Sequence, residues 1–242
     1  MKRAFLLAAL AFAAGCSALK NPPGRPSQDS LVVPPSEVVD FDVLYGKNCA
    51  GCHGKDGRGG VAIGLGDPLY LAIADNATIS RVTAEGVPDT AMPAFAQSSG
   101  GMLTSAQIDA IVHGIRTKWG ESSNVPALNP PPHLAQTHGD AKRGAMVYAV
   151  FCSSCHGREG RGGTASSIVD GSYLALVSDQ GLRTIVIVGR PELGAPDWRG
   201  NVPNHPMSAE DVSDVVAWLA DQRPQFPGEP YASAQHTPGE LQ

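Results

Sequence analysis

Hydrophobic positions along this chain recur at helical spacing, and the spacing itself recurs further on. Ile108, Ile111, Val112 and Ile115 fall at i, i+3, i+4 and i+7, the apolar stripe of an amphipathic helix. The preceding Thr104-Ser105-Ala106-Gln107 has the form of a capping box, which predicts a helix start at Thr104. Val212, Val215, Val216 and Leu219 repeat the stripe behind Ser208. Upstream, a first helix is expected from about Asp40 to Ala50, with Val43 and Leu44 near Lys47. Its copy is expected from about Asp140 to Ser153, with Met146, Val147 and Val150 on the apolar side. Between these outer helices lie a Gly-rich loop and a short helix around Tyr70 to Ala74, or Tyr173 to Ser178. A further helical stretch ends at Gly86 or Gly189. The expectation is an all-α chain of two small domains with long irregular loops.

An offset of 103 positions carries Cys49 onto Cys152, Tyr45 onto Tyr148, Asp67 onto Asp170, Tyr70 onto Tyr173, Gly86 onto Gly189 and Pro93 onto Pro196. This is a tandem duplication with almost no gaps. Pro-rich stretches divide it. The expected organisation is a signal peptide (1–15), a tether (16–37), a first domain (38–121), a linker (122–138), a second domain (139–226) and a tail (227–242). Lys2 and Arg3 followed by an apolar run from Ala4 to Ala14 read as an export signal too short to span a bilayer.

Composition changes the picture in two ways. The net charge of −5, with no run of Lys and Arg, argues against nucleic-acid binding. Aromatic content of 6% with 28 Gly and 20 Pro makes two small cores marginal by themselves. Such cores call for a large apolar object at their centres.

The cysteines suggest what that object is. Cys49-Ala-Gly-Cys52-His53 and Cys152-Ser-Ser-Cys155-His156 are two copies of C-x-x-C-H, the attachment signature of c-type haem. Two thiols three apart can each bond one vinyl group, and the next His reaches the iron. A zinc site is the rival reading, but it needs four ligands and neither repeat offers a second C-x-x-C or an H-x₃₋₅-H. A redox-active dithiol is the other, and it leaves the two histidines unexplained.

On these motifs each repeat resembles a class I c-type cytochrome domain, and the pair resembles bacterial dihaem cytochromes, over about Val38–Trp119 and His138–Arg223. The resemblance implies two small all-α domains, each wrapped around one covalent haem c. It makes His53 and His156 the proximal iron ligands and a downstream Met the opposite one. In the first repeat that is Met92, before Pro93, with Met102 as competitor. In the second, Ala195 stands at the matching position. Met207, His205 or an open iron then remain, and Met207 also suits a hydrophobic staple ahead of Ser208. Arg58 and Arg161 are candidate propionate partners or solvated side chains. The signal ends in Ala-Ala-Gly-Cys16, which resembles a bacterial lipobox and implies a lipid anchor at Cys16; the alternative is ordinary cleavage nearby. The expected function is single-electron transfer, not enzymatic turnover, on the periplasmic side of a bacterial membrane. Expected partners are a respiratory complex, a terminal oxidase or a periplasmic dehydrogenase, with the membrane contacted through the lipid alone. The alternatives are a peroxidase-like or ligand-binding second haem, and an electron-outlet subunit of a larger oxidoreductase.

Overall fold

Each repeat is built from five helices. In the first they are α1 (Phe41–Asn48), α2 (Ala50–His53), α3 (Pro68–Ile73), α4 (Asn76–Glu85) and α5 (Ser105–Trp119). In the second they are α6 (Ala141–Phe151), α7 (Ser153–His156), α8 (Gly171–Ala175), α9 (Asp179–Val188) and α10 (Ala209–Ala220). This computed structural model describes residues 32–120, 129–200 and 202–224. The 1–15 leader, Cys16, much of the tether, residue 121, residues 122–128 of the linker, residues 201 and 225–226, and the 227–242 tail lie outside the described residues. No strand occurs among the described residues; Ala96 with Leu103 and Arg190 with Ala195 form isolated bridges.

Short polar side chains start the helices. Asp40, Asp67, Asp75 and Thr104 cap the first repeat's longer helices, and Asp140, Asp170, Ser178 and Ser208 cap their copies. Each accepts a hydrogen bond from an otherwise unpaired first-turn N–H. The box predicted at Thr104 is formed, with Gln107 bonding back, and Ser208, the expected start of the copy, forms a box of its own with Asp211. The stripe of α5 is buried, with Ile108, Ile111, Val112 and Ile115 at 7% exposure or less. At roughly 1.5–3 kcal/mol per buried aliphatic side chain, this stripe is a main source of first-repeat stability.

The first and last helices of each repeat pack against each other through a knob in a hole. In the first repeat Phe41 of α1 presses on Gly114 of α5. At the matching positions of the second repeat stand Gly144 of α6 and Trp218 of α10, so knob and hole are exchanged. This corrects the expected apolar side of α6. Met146 and Val150 are 63% and 54% exposed, whereas Gly144, Tyr148 and Phe151 are buried. A glycine is not read as apolar, yet it marks the closest approach of α6 to α10. Val43 of α1 is likewise exposed, and Leu44 with Tyr45 fills the core.

A second part has also shifted along the last helix. Arg116 donates to the carbonyls of Leu71 and Ala74 and to Asn76 Oδ1, closing the end of α3. Arg223 donates to the matching carbonyls of Leu174 and Val177 and pairs with Asp179. The guanidinium thus meets the same three points from a position about one helical turn later.

The described part of the linker is built into the second repeat. Arg183 Nε and Nη2 donate to Pro132 O at 3.1 and 2.9 Å, and Gln180 Nε2 donates to His133 O at 2.8 Å. The His133 ring stands edge-on to Tyr70 of the first repeat at 6.5 Å. Arg190 makes a second tie between repeats, with Nη2 donating to Gly60 O at 2.5 Å.

Candidate functional site

The two C-x-x-C-H segments fold alike. Cys49 closes α1 and opens α2 at φ −117°, ψ −38°; Cys152 does the same between α6 and α7 at φ −120°, ψ −32°. The short turn that follows places both cysteines and the histidine of each segment on one helical turn. Tyr45 Oη donates to Gly54 O at 2.8 Å, and Tyr148 Oη to Gly157 O at 2.5 Å, which tethers the end of each turn to its first helix. None of these four cysteines is in a disulfide. Burial, followed by repulsion from Cys52, pushes the Cys49 thiol up to about 11; burial and Cys155 do the same to Cys152. Those are poor thiolates, opposite to what a redox dithiol needs. Among the described residues no group of three or more His, Cys, Asp or Glu is placed to hold a bare metal ion.

The histidines carry the clearest functional geometry. His53 Nδ1 lies 2.7 Å from Ile63 O, and His156 Nδ1 lies 2.7 Å from Ser166 O. A carbonyl can only accept, so Nδ1 carries a proton in both rings, which leaves Nε2 as the nitrogen able to ligate. A ligating His is oriented in this way, its second nitrogen donating to a backbone oxygen. Burial holds the His53 ring below its ordinary pKa against the opposing pull of the Ile63 carbonyl. Two cysteines outside any disulfide beside an oriented imidazole fit a covalent haem. Cys49, Cys52 and His53 would hold one, and Cys152, Cys155 and His156 a second.

The loops that follow α4 and α9 close alike but turn differently inside: Asp89 is at φ +57° in the first, whereas Pro191–Leu193 form a 3₁₀ turn ended by Gly194 at φ +81° in the second. Gly86, at φ +70°, ends α4, and a Cβ there would meet Met92 O at 2.8 Å and the Pro93 backbone at 2.6 Å. Val87 N–H then donates to Met92 O at 3.0 Å. Gly189, at φ +71°, ends α9 against Pro196, and Arg190 N–H donates to Ala195 O at 3.0 Å. Met92 is half-buried, whereas its competitor Met102 is 79% exposed. Met207 is 7% exposed and its N–H donates to Trp198 O at 2.9 Å. Leu103, 6% exposed, donates to Phe95 O in the same manner at 2.7 Å. Met207 thus holds the place of Leu103. His205 is exposed, its ring parallel to Phe151 at 5.8 Å and 8°.

Arg58 and Arg161 brace their own loops. Arg58 Nε and Nη2 donate to Gly66 O at 2.9 and 2.5 Å, and exposed Arg161 pairs with Glu159 at 3.4 Å.

Residues 38–113 and 139–219 each match the family model described as cytochrome c oxidase, cbb3-type, subunit III. The chain belongs to this family. It carries two copies of the class I cytochrome c domain in tandem. It is 26% identical over 179 residues to the cytochrome bc1 complex cytochrome c subunit of Mycobacterium tuberculosis, covering 73% of this chain and 60% of that one. It is 27% identical over 140 residues to the cbb3-type cytochrome c oxidase subunit FixP of Azorhizobium caulinodans, covering 54% of this chain and 43% of that one. The chain spans about three-fifths of the length of the mycobacterial relatives it matches. A looser likeness, with a TM-score of 0.44 and 16% identity, links it to the Kuenenia stuttgartiensis reducing HAO-like protein complex, over 80% of this chain and 100% of that one. No described helix is long and apolar enough to cross a membrane.

Within the family's fold, the carbonyls of Ile63 and Ser166 are functional groups that side-chain reading passes over. They are related by the same offset of 103, but their side chains differ because the backbone does the work. Applying the offset to every residue within a loop's reach of His53 would have found them.

Proposed function

We propose that the chain is an exported dihaem c-type cytochrome that carries single electrons to or from a respiratory complex. The observation that carries this reading is the duplicated attachment turn, with both His Nδ1 groups held at 2.7 Å from a carbonyl. One haem c is attached through Cys49 and Cys52 with His53 as axial ligand, and a second through Cys152 and Cys155 with His156. Bound haem supplies a one-electron ferric–ferrous couple. The chain's own residues attach it, orient the axial imidazoles and exclude water with the α5 and α10 stripes. Met92 is the opposite ligand of the first iron, its soft thioether favouring the ferrous state.

The domains run as the duplication divides them, 38–121 and 139–226, joined by the 122–138 linker. The 1–15 segment directs export, and Cys16 carries a lipid that holds the 16–37 tether to the periplasmic side of a membrane. The names of the relatives support a partner among respiratory complexes, either a cytochrome bc1 complex or a cbb3-type cytochrome c oxidase. Whether the chain diffuses or is held as an electron outlet is read by co-purification with catalytic subunits.

The test is a spectroscopic redox titration of the haem-loaded protein beside Met92→Ala. The variant loses the ferric-methionine charge-transfer band of one haem, and that haem's potential falls. Retention of the band with an unchanged potential would remove Met92 from the iron.

A further inference from the structure

We propose that the second iron has His156 as its one protein ligand and an open face that binds a small neutral diatomic molecule. This rests on the reading that a haem is attached at Cys152 and Cys155.

The closure of the loop that supplies Met92 in the first repeat is kept in the second, although the residues inside it turn differently. Arg190 N–H donates to Ala195 O at 3.0 Å, as Val87 N–H does to Met92 O at 3.0 Å, and Ala195 N–H returns to Arg190 O at 3.1 Å. Gly189 closes on Pro196 as Gly86 closes on Pro93. The loop has therefore not slipped by a residue to bring another side chain to Ala195's place, and an alanine methyl cannot ligate.

Neither substitute donor is free for the role. Met207 sits one residue before the Ser208 cap, in the backbone register and burial of Leu103. A methionine in a leucine site is a volume-conserving core filler. Exposed His205 runs parallel to Phe151, the last residue of α6, with the ring centroids offset at 5.8 Å, and packs on that ring. The polar groups of the loop are committed elsewhere. Arg190 bonds Gly60 O and Glu192, and Asp197 pairs with Arg199. Trp198 offers a donor only.

Replacing methionine by alanine removes three side-chain heavy atoms, space enough for a two-atom ligand. A ferrous iron left without a sixth protein ligand binds a neutral π-acceptor. The polarity and access of this face decide between ligand binding and electron transfer.

The test uses carbon monoxide on the reduced, haem-loaded protein, after a haem count by pyridine haemochrome. Wild type is expected to take up about one carbon monoxide per two haems. Met207→Leu and His205→Ala are expected to leave both that uptake and the ferric spectrum unchanged. Ala195→Met is expected to abolish the uptake and give a second low-spin haem. No uptake by the wild type would overturn the proposal. So would a change of the second haem from low to high spin in Met207→Leu or His205→Ala. A count of one haem overturns the dihaem reading as well, whereas a count of two without uptake overturns the open face alone.

Discussion

Gly144→Ala tests the exchanged knob and hole at the crossing of α6 and α10. A Cβ at Gly144 would lie 2.0 Å from Asp214 O, 2.7 Å from Asp214 C and 2.8 Å from Trp218 Cβ. None of these atoms can swing aside by changing rotamer. Restoring ordinary contact distances requires the helices to part by about 1 Å. That movement loosens the Tyr148–Trp218 stack, now at 4.3 Å, and the Arg143–Asp214 pair at 2.8 Å. Overpacking costs about 1–3 kcal/mol, and relief through backbone alone puts this site at the upper end. Alanine's better helix propensity returns up to about 1 kcal/mol, leaving a net loss of about 2 kcal/mol. Gly46→Ala on α1 is the control, because nothing lies within 4 Å of its Cβ. Gly114→Ala falls between them, since it meets the Phe41 ring, at 2.1 Å, which can shift. Urea unfolding of the haem-loaded protein, followed by tryptophan fluorescence and Soret absorbance, reads the difference. With a slope of about 1–1.5 kcal/mol per molar urea, Gly144→Ala lowers the second-repeat midpoint by about 1.5 M. A midpoint indistinguishable from that of Gly46→Ala would refute the packing argument.

Asp214→Asn removes a buried carboxylate that accepts from Arg143 Nε at 2.8 Å and from Asp140 N–H at 2.7 Å, and is expected to cost about 1.5–3 kcal/mol at neutral pH. Burial works to raise this carboxyl, but the Arg143 and Asp140 hydrogen bonds outweigh it and hold it below the usual aspartate range. Its contribution is therefore complete above the unfolded value of about 4 and is lost as pH falls through the lower folded value. Denaturation across pH should show the gap between wild type and variant closing below about pH 4; a gap that persists there would contradict the assignment. Arg190→Ala frees Gly60 O and leaves Glu192 unpaired, so the repeats are expected to move more freely, seen as a larger radius of gyration in small-angle scattering. Scattering identical to wild type would mean that the linker contacts at His133 suffice.

The helices were legible where periodicity and capping coincide. The α5 and α10 stripes, the capping box at Thr104 and the glycine stops at Gly86 and Gly189 follow from spacing and side-chain chemistry alone. So did the C-x-x-C-H turns, because the chemistry requires those residues at that spacing. The inner face of α6 was not legible, since Gly144 contributes shape rather than hydrophobicity. The displaced roles of Arg116 and Arg223 were hidden for another reason. Guanidinium groups reach the same carbonyls from positions a turn apart, which a fixed offset cannot show. The matching backbone hydrogen bonds of Met207 and Leu103, to Trp198 O and Phe95 O, were likewise hidden, because main-chain pairing has no side-chain signal.

The central claim is that each repeat holds its own covalent haem. Intact mass and haem content of the exported protein should be measured for wild type, for Cys49→Ala/Cys52→Ala and for Cys152→Ala/Cys155→Ala. Two haem masses on the wild type and one on each variant are predicted. A wild type with one haem or none, or a variant that keeps both, would contradict the account.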